Sequence, residues 1–337
     1  MNTRYRFLSR SLLFCIACLV TSSAVAQWYS FKSTAMTTDL SLEFWYDSAT
    51  DAENISQQVF AEFDRVDAQM SSYKPDSELS RINNAFVSEV DSEVGSVETE
   101  VSSALFKVLT HAIEISKRSA GAFDISFGSV GYLYDYRAGH QPDAQALDAL
   151  SSRINYRNIK LDSVRRTVRL TMSQMRLDLG GIAKGYAVDL GIEVLKTKGI
   201  KYASLSAGGD MRLLGDKRGK PWLVAVKDPR SEQQHAVVLP LDNVAVSTSG
   251  DYERYFIAEN GERVHHILSP ATGRPAKGIQ SVTIIGNEAI ETDGLSTAVF
   301  VLGVRAGLKM INKLDGIDAI IIDDKRKMHY SEGLMAP

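Results

Sequence analysis

Residues 177–189 read LDLGGIAKGYAVD. An apolar lead-in ends at Asp178, the pair Gly180-Gly181 turns the chain, and apolar residues at helical spacing begin near Lys184. Glycines expose backbone N–H and C=O groups, and a helix N-terminus favours anions, so this corner suits a phosphate or a metal–phosphate pair. The spacing is neither that of a Walker A loop nor that of G-x-G-x-x-G. The alternative interpretation is a strand–turn–helix corner whose glycines only permit close packing.

Helix-like and strand-like stretches are interspersed around this corner without strict βαβ alternation. Apolar spacing of three and four predicts helices at 51–70, 96–118, 184–198 and 293–302. Strands are predicted at 40–46, 159–161, 167–171, 202–206, 222–227, 243–247, 281–286 and 319–323. This mixture favours an α+β fold over a Rossmann sheet. Since no repeat or Pro/Gly/Ser-rich linker divides the chain, we expect one domain over residues 27–337.

A second informative segment is TDGLST at residues 292–297. If a helix begins at Asp293, its carboxylate and the hydroxyl of Thr297 project from one face, four residues apart. Such oxygen ligands suit a hard cation such as Mg²⁺, which takes few protein ligands and keeps water and phosphate around it. The alternative is that Asp293 only N-caps its own helix and that Thr297 packs.

Composition excludes several function classes. With 38 Lys+Arg against 41 Asp+Glu, the formal net charge is −3, and a nucleic-acid binder is disfavoured because clustered cations are lacking. The chain has two cysteines, Cys15 and Cys18, both within the first 26 residues. Removal of that segment would leave no cysteine, and this excludes thiol nucleophiles, Cys–zinc sites, iron–sulfur clusters and disulfides from the mature chain.

The first 26 residues have the pattern of a secretory signal peptide. Three arginines precede an apolar run at 12–20, and Ala24-Val25-Ala26 supplies a small-residue cleavage site. The alternative is a lipobox at Ile16-Ala17-Cys18, which would make Cys18 a lipidated N-terminus. We prefer a soluble exported protein, since the apolar run continues past Cys18. Beyond the leader, we find no second apolar stretch that predicts a membrane helix.

Several further polar segments break the periodicity, as a site for a large polar ligand requires. They are MSSYKPDSELSRIN at 70–83, GAFD at 121–124, GGD at 208–210, STSGDY at 247–252, HILSPATGRP at 266–275 and DGLSTAVFVLG at 293–303. Together with 177–189 they make seven motifs in one order. In that order the sequence, from about 36 to 303, resembles the ApbE family, the periplasmic FAD:protein FMN transferases.

The resemblance implies a T-fold-like α+β architecture with an FAD site in a cleft and Mg²⁺ next to the pyrophosphate. Family members transfer FMN from FAD, their substrate, to a hydroxyl of a partner protein and release AMP. Matching positions for flavin-nucleotide contacts are Met36, Tyr73, Ala122, Phe123, Asp124, Asp178 and Lys184. The Gly181 carbonyl, Asp293 and Thr297 match the metal ligands, and His266 matches the histidine near the reacting phosphate. Departures from the family pattern are Ser269 for Asp, Gly294 for Ala, and Ile125-Ser126-Phe127 after GAFD.

In this scheme His266 accepts the proton of the attacking hydroxyl, because imidazole titrates near neutrality. The alternative is that His266 only hydrogen-bonds flavin or backbone. Two other function classes stay open at this point: a metal-dependent FAD pyrophosphatase giving FMN and AMP, and a non-catalytic flavin-binding protein. The resemblance also implies acceptors among subunits of sodium-pumping NADH:quinone reductase or Rnf-type redox complexes, a periplasmic location and peripheral association with the inner membrane.

Overall fold

The structure, a computed structural model, describes residues 26–87 and 98–335. The predicted leader up to residue 25, with Cys15 and Cys18, lies outside the described residues. The strands are β1 (Gln27–Ala35), β2 (Thr38–Tyr46), β3 (Thr99–Glu100), β4 (Ile159–Asp162), β5 (Thr167–Leu170), β6 (Ala203–Ala207), β7 (Asp210–Leu214), β8 (Trp222–Asp228), β9 (Ser231–Leu241), β10 (Ala245–Gly250), β11 (Tyr255–Ile257), β12 (Arg263–His265), β13 (Ile279–Gly286), β14 (Asp318–Asp323) and β15 (Met328–Tyr330). The helices are α1 (Ala49–Met70), α2 (Glu78–Val87), α3 (Ser103–Arg118), α4 (Gly128–Gly131), α5 (Ala144–Ser151), α6 (Ala183–Thr197), α7 (Ala289–Ile311) and α8 (Glu332–Met335).

Eight of the strands form one antiparallel sheet in the order β1-β2-β6-β7-β10-β13-β14-β15. All residues of β13 are buried, so both faces of the sheet centre are covered. Helices α1, α6 and α7 cover one face, and Phe44, Phe63 and Phe300 are fully buried in the core there. The β8–β9 hairpin covers the other face, where Trp222 packs with the sheet residue Ile285. The expected α+β domain is confirmed, and its main element is this large antiparallel sheet.

Two tight turns and the neighbouring strand β10 meet at one end of this sheet and place the candidate site. The β1–β2 turn carries Met36 and Thr37 at positive φ, and the β6–β7 turn carries Gly208. A Cβ on Gly208 would lie 2.5 Å from the hydroxyl of Thr38, so the two turns touch. The end of β10 lies alongside, because Ser247 pairs with Asp210 at the start of β7.

Some predicted boundaries are wrong, each for a local reason. Helix α3 begins at Ser103 because Ser102 accepts a hydrogen bond from Leu105 N–H, and the short strand β3 precedes it. The lead-in to Asp178 is not a strand, because the side-chain amide of Asn83, and not a neighbouring strand, bonds to both N–H and C=O of Leu177.

Helix α7 begins at Ala289 and continues to Ile311, so the predicted helix 293–302 is its middle part. The α7 backbone changes direction at Gly303, where φ is 77°. Among the described residues, α7 is the one helix long and apolar enough to cross a membrane, contrary to our expectation from the sequence. It packs against β10, β13, α3 and α6, so here it is a core helix of the domain.

Candidate active site

The N-terminal turn of α6 meets the second turn of α7 at the centre of the site. The Asp293 carboxylate accepts a hydrogen bond from Gly185 N–H through Oδ2 at 3.0 Å. A Cβ on Gly185 would lie 2.1 Å from the Ala289 carbonyl oxygen, so only glycine allows this approach of the two helices. The N-cap of α7 is Glu288, and Asp293 lies inside the helix. The alternative in which Asp293 N-caps its own helix is therefore wrong.

Lys184 lies between two buried carboxylates. Its Nζ forms an ion pair with Asp210 and lies 3.8 Å from Asp293 Oδ1. Asp210 is 1% exposed and Asp293 is 3% exposed. Burial lowers the pKa of Lys184, but the carboxylates of Asp210 and Asp293 outweigh it, so the net shift is upward and the ammonium stays charged. Burial and the nearby Asp210 carboxylate raise the pKa of Asp293.

The predicted metal ligands come together beside this ion pair. A Cβ on Gly181 would lie 3.2 Å from Thr297 Oγ1, so the glycine turn faces the threonine one turn after Asp293. Gly185 N–H would bond to the Gly181 carbonyl if α6 began one turn earlier, but it donates to Asp293 instead. Ser249 of β10 lies within 3.3 Å of the Thr297 hydroxyl and 2.7 Å of the Ser296 hydroxyl.

These donors fit a hard cation. A backbone carbonyl, one carboxylate and one hydroxyl are the oxygen ligands that Mg²⁺ accepts, with open positions left for phosphate and water. Burial and the Asp210 carboxylate disfavour the charged form of Asp293 and raise its pKa, and the Lys184 ammonium offsets part of this effect. Residues 26–87 and 98–335 contain no cluster of three His, Cys, Asp or Glu side chains suited to a metal. The set proposed here is not such a cluster, since it has one carboxylate and takes its other oxygens from a hydroxyl and a backbone carbonyl.

One flank of the site is built by Asp178 and the 71–73 loop. Asp178 accepts hydrogen bonds from Gly180 N–H at 2.7 Å and from the Ser72 hydroxyl at 2.8 Å. The Tyr73 ring next to Ser72 is 85% exposed, although the loop backbone is fixed. An exposed ring on a fixed loop is available to stack on a planar ligand.

A second group of residues around the site contains Met36, Arg254 and His266. The Arg254 guanidinium donates to Thr37 Oγ1 at 2.6 Å, next to Met36 in the β1–β2 turn. The Arg254 carbonyl accepts from the backbone N–H of His266 at 3.1 Å and lies 3.3 Å from Nδ1 of its ring. A carbonyl only accepts, so the proton is on Nδ1, and Nε2 keeps its lone pair.

Charge and burial keep His266 neutral. Burial, followed by the nearby Arg254 and His265, lowers the pKa of His266 to about 3. This lowered pKa differs from the expectation that the imidazole titrates near neutrality. Neutral imidazole can still accept a proton, and a bound anion beside it would raise its basicity.

The GAFD segment is split between the site and the core. Phe123 is buried, and its ring lies 3.3 Å from where a Cβ on Gly181 would be. The Asp124 carboxylate faces inward, where it accepts from Ser126 N–H at 2.9 Å and from Tyr156 N–H at 2.7 Å. The structure thus gives Asp124 a loop-fixing role, and a contact of Asp124 or Ala122 with a nucleotide stays a prediction. Ser126 belongs to the Ile125-Ser126-Phe127 segment, which differs from the family pattern, and its hydroxyl donates a hydrogen bond to the Asp124 carboxylate.

The glycine at 294 also has a physical reason. A Cβ there would lie 2.4 Å from Ile115 Cδ1, so the Ile115 side chain of α3 occupies the space that an alanine methyl would need. This departure from the family pattern lies behind Asp293, in the helix–helix contact, and leaves the oxygen donors unchanged.

Sequence reasoning missed three site residues: Asp210, Ser249 and Arg254. Asp210 and Ser249 belong to the GGD and STSGDY motifs, whose polar residues were interpreted as part of turns. The sequence did contain a signal for Asp210. An Asp that follows Gly-Gly between two apolar strands is buried, and so needs a charged partner, unless the turn projects into solvent. Arg254 follows STSGDY with no local pattern to mark it.

Comparisons with known proteins identify the family of this chain. The sequence model of the ApbE family matches residues 36–321. The chain belongs to the ApbE family. A FAD:protein FMN transferase of Haemophilus influenzae is 34% identical over 272 residues, covering 78% of this chain and 76% of the relative. One of Treponema pallidum is 30% identical over 297 residues, covering 83% and 80%.

Solved structures of ApbE proteins share the fold. The crystal structure of the ApbE protein of Thermotoga maritima has a TM-score of 0.80 at 30% identity and covers 92% of this chain and 98% of its own. The flavin transferase ApbE of Vibrio cholerae also has a TM-score of 0.80, at 26% identity, covering 92% and 99%. The family assignment made from the seven motifs is confirmed.

Proposed function

We propose that this ApbE-family protein transfers FMN from FAD to a Ser or Thr hydroxyl of an acceptor protein and releases AMP. The hydroxyl oxygen forms a bond to the FMN-side phosphorus, the bond from that phosphorus to the AMP oxygen breaks, and AMP leaves as the phosphate monoester. The observation that carries the proposal is the convergence of Lys184, Asp293, Thr297 and Gly181 at one end of the sheet. The family's curated relatives, which are FAD:protein FMN transferases, support it.

Asp293, Thr297 and the Gly181 carbonyl would hold Mg²⁺. The metal would neutralise pyrophosphate oxygens and stabilise the charge that develops on the leaving AMP. The chain's own contribution is to present three oxygen donors, two from α7 and one from the turn before α6, at a helix contact that is held by packing and a hydrogen bond.

Lys184 supplies the fixed positive charge of the site. Its ammonium is held by Asp210, so it stays in place without substrate and meets an incoming pyrophosphate without rearrangement. Arg254 adds a second cation beside His266. Tyr73 offers an exposed aromatic face to the isoalloxazine or adenine ring.

His266 is placed to take the proton of the attacking hydroxyl at Nε2. Its ring is oriented through Nδ1, and it is neutral before substrate binds. The negative charge of the pyrophosphate would offset Arg254 and Lys184, both of which lower the His266 pKa, and would make the imidazole a better base.

We also propose that the protein is exported to the periplasm, without lipid at Cys18, and associates peripherally with the inner membrane. Its acceptors there would be subunits of sodium-pumping NADH:quinone reductase or Rnf-type complexes. The leader pattern and the family resemblance support this part. Mass spectrometry of the mature N-terminus tests the export step: the expected terminus is Gln27, and a diacylglyceryl-modified Cys18 would contradict it.

The activity itself is tested by incubating the purified protein with FAD, with or without Mg²⁺ and an acceptor protein. Flavin fluorescence that stays on the acceptor after denaturing electrophoresis, with one AMP released per flavin attached, is the expected result. FMN and AMP formed at equal rates with and without acceptor would instead identify an FAD pyrophosphatase. FAD recovered unchanged in all tubes would contradict both.

A further inference from the structure

The first turn of α7 is capped by a side chain from α6. The Asp189 carboxylate accepts hydrogen bonds from Ala289 N–H through Oδ1 and from Ile290 N–H through Oδ2, both at 2.9 Å. The N-cap residue itself, Glu288, makes no side-chain cap hydrogen bond. Two of the backbone donors that every helix start leaves unpaired are thus satisfied by one carboxylate of the neighbouring helix.

The first turn of α6 is capped from α7 in the same way. Ile182, at the N-cap, has no side chain that could cap, and Asp293 Oδ2 accepts from Gly185 N–H. The two contacts are symmetric in sequence: Asp189 follows Gly185 by four residues, and Asp293 follows Ala289 by four. Each helix therefore uses the carboxylate one turn after its capped residue to cap the other helix.

This arrangement determines which oxygen of Asp293 faces the site. Oδ2 is engaged by Gly185 N–H, while Oδ1 is the atom nearest the Lys184 ammonium. If α7 shifted or rotated at its first turn, Asp293 would move with it, since only one turn of helix separates it from Ala289 and Ile290. The Asp189 carboxylate is itself fixed by Arg212, whose Nη1 lies 3.3 Å from Oδ1.

We propose that Asp189 is a positioning residue for the metal site: by capping α7, it holds the Oδ1 atom of Asp293 in place for a divalent cation. This inference rests on the proposed function, because it assigns Asp293 to the cation. It adds that a residue touching neither the cation nor FAD controls the affinity for the cation. Groups that orient a metal ligand typically change metal affinity by about 10- to 100-fold when removed.

The test compares Mn²⁺ binding in four full-length proteins loaded with FAD, by electron paramagnetic resonance of the free ion. They are the wild type, Asp189→Ala, Asp189→Asn and the control Ser102→Ala, which removes the N-cap of α3. Thermal unfolding without metal and FAD affinity without metal are measured for each. We expect Asp189→Ala to weaken Mn²⁺ binding about tenfold or more and Asp189→Asn to weaken it less, because one acceptor oxygen remains. We expect Ser102→Ala to lower the melting temperature only.

FAD affinity without metal should be equal in all four proteins, since Asp189 is not placed against the nucleotide. Wild-type Mn²⁺ affinity in either folded Asp189 variant would overturn the inference and leave the proposed function standing. If Asp189→Ala does not fold, Asp189→Asn decides by the same criterion. A wild type that transfers FMN but binds no Mn²⁺ would overturn both the metal assignment and this inference.

Discussion

Asp293 accepts the N–H of Gly185 across the α6–α7 contact, 108 residues away in sequence, at 3.0 Å. The bond joins the two motifs that carry the chemistry. If α6 were one turn longer at its start, the Gly185 N–H would bond to the Gly181 carbonyl instead of to Asp293. One carboxylate thus caps α6 and faces Lys184. Burial and the Asp210 carboxylate raise the pKa of Asp293, while the Lys184 ammonium and the Gly185 N–H act in the opposite direction.

FAD should bind more tightly than FMN. The Lys184 ammonium and the predicted cation site meet a pyrophosphate, which FAD has and FMN lacks, so we expect a difference of at least about tenfold, or about 1.4 kcal/mol. Fluorescence-quenching titrations with both flavins measure it. Lys184→Met should reduce the preference, and equal affinity of the wild type for FAD and FMN would speak against a pyrophosphate site here.

Asp210→Asn should raise the Mg²⁺ concentration needed for half-maximal transfer. Lys184 pairs with Asp210 and also lies near Asp293. Without the Asp210 charge, the Lys184 ammonium should pair with the Asp293 carboxylate and compete with the cation for that carboxylate. The buried site also loses a charge-assisted hydrogen bond, so the free energy of unfolding should fall by about 2 kcal/mol. Mg²⁺ titrations of the transfer rate and denaturant unfolding measure the two effects.

The matched control for that substitution is Asp162→Asn, which breaks an exposed ion pair with Arg165. Such surface pairs contribute at most about 1 kcal/mol, and this one is remote from α6 and α7. An unchanged Mg²⁺ requirement in Asp210→Asn would mean that Lys184 does not compete for Asp293.

His266→Gln should lower the rate of transfer by about 100-fold or more while FAD affinity changes little, as removal of a general base does. Single-turnover transfer and a separate FAD titration distinguish the two effects. His329→Gln, a histidine paired with Asp323 far along the chain, serves as the control. A His266→Gln protein with weakened FAD binding and an unchanged chemical step would assign His266 to binding only.

Protonation of His265 should lower the free energy of unfolding in mild acid. Its ring accepts Ile267 N–H at Nδ1 and lies 2.9 Å from the Ala276 carbonyl at Nε2, so Nε2 carries the proton and a second proton has no acceptor. Burial lowers its pKa below the 6.5 of the unfolded chain. The unfolded chain therefore binds more protons in this window, so the stabilising contribution is present above pH 6.5 and is lost as the pH falls through the folded pKa.

Unfolding free energies measured at intervals between pH 7 and pH 4 check this expectation. The slope due to this one group reaches at most about 1.4 kcal/mol per pH unit. His265→Gln, which retains a donor for Ala276, should show a shallower decline than the wild type. Identical slopes in the two proteins would mean that other groups dominate the acid sensitivity.

The sequence predicted the elements and the motifs better than their contacts. Alternation and helical spacing located α1, α6 and most sheet strands because those signals are local. Segment 177–189 was also identified locally, since glycines next to a helix start are visible in any sequence. Gly181 and Thr297 could be paired only through the family resemblance, because their contact spans two elements.

What could not be predicted depends on long-range geometry. Asp293 was expected to begin its own helix, but the first turn of α7 is capped by Asp189 of another helix, so α7 starts four residues earlier at Ala289. The ion pair of Asp210 with Lys184 requires the β6–β7 turn to lie over the start of α6. The spacing of residues within one segment cannot predict a contact between two segments that are distant in the sequence.

The central claim is that Asp293 supplies the charge that holds a catalytic cation, and Asp293→Asn tests it most directly. Asparagine keeps an oxygen for Gly185 N–H, so the helix contact survives and the charge is removed; Asp143→Asn at the cap of α5 is the control. We measure FMN transfer to an acceptor protein across a Mg²⁺ titration, with thermal unfolding alongside. We expect a folded Asp293→Asn protein that binds FAD and whose transfer falls by about 100-fold or more, a loss of about 3 kcal/mol in transition-state stabilisation. A folded Asp293→Asn protein that transfers FMN at the wild-type rate with the wild-type Mg²⁺ dependence would contradict it.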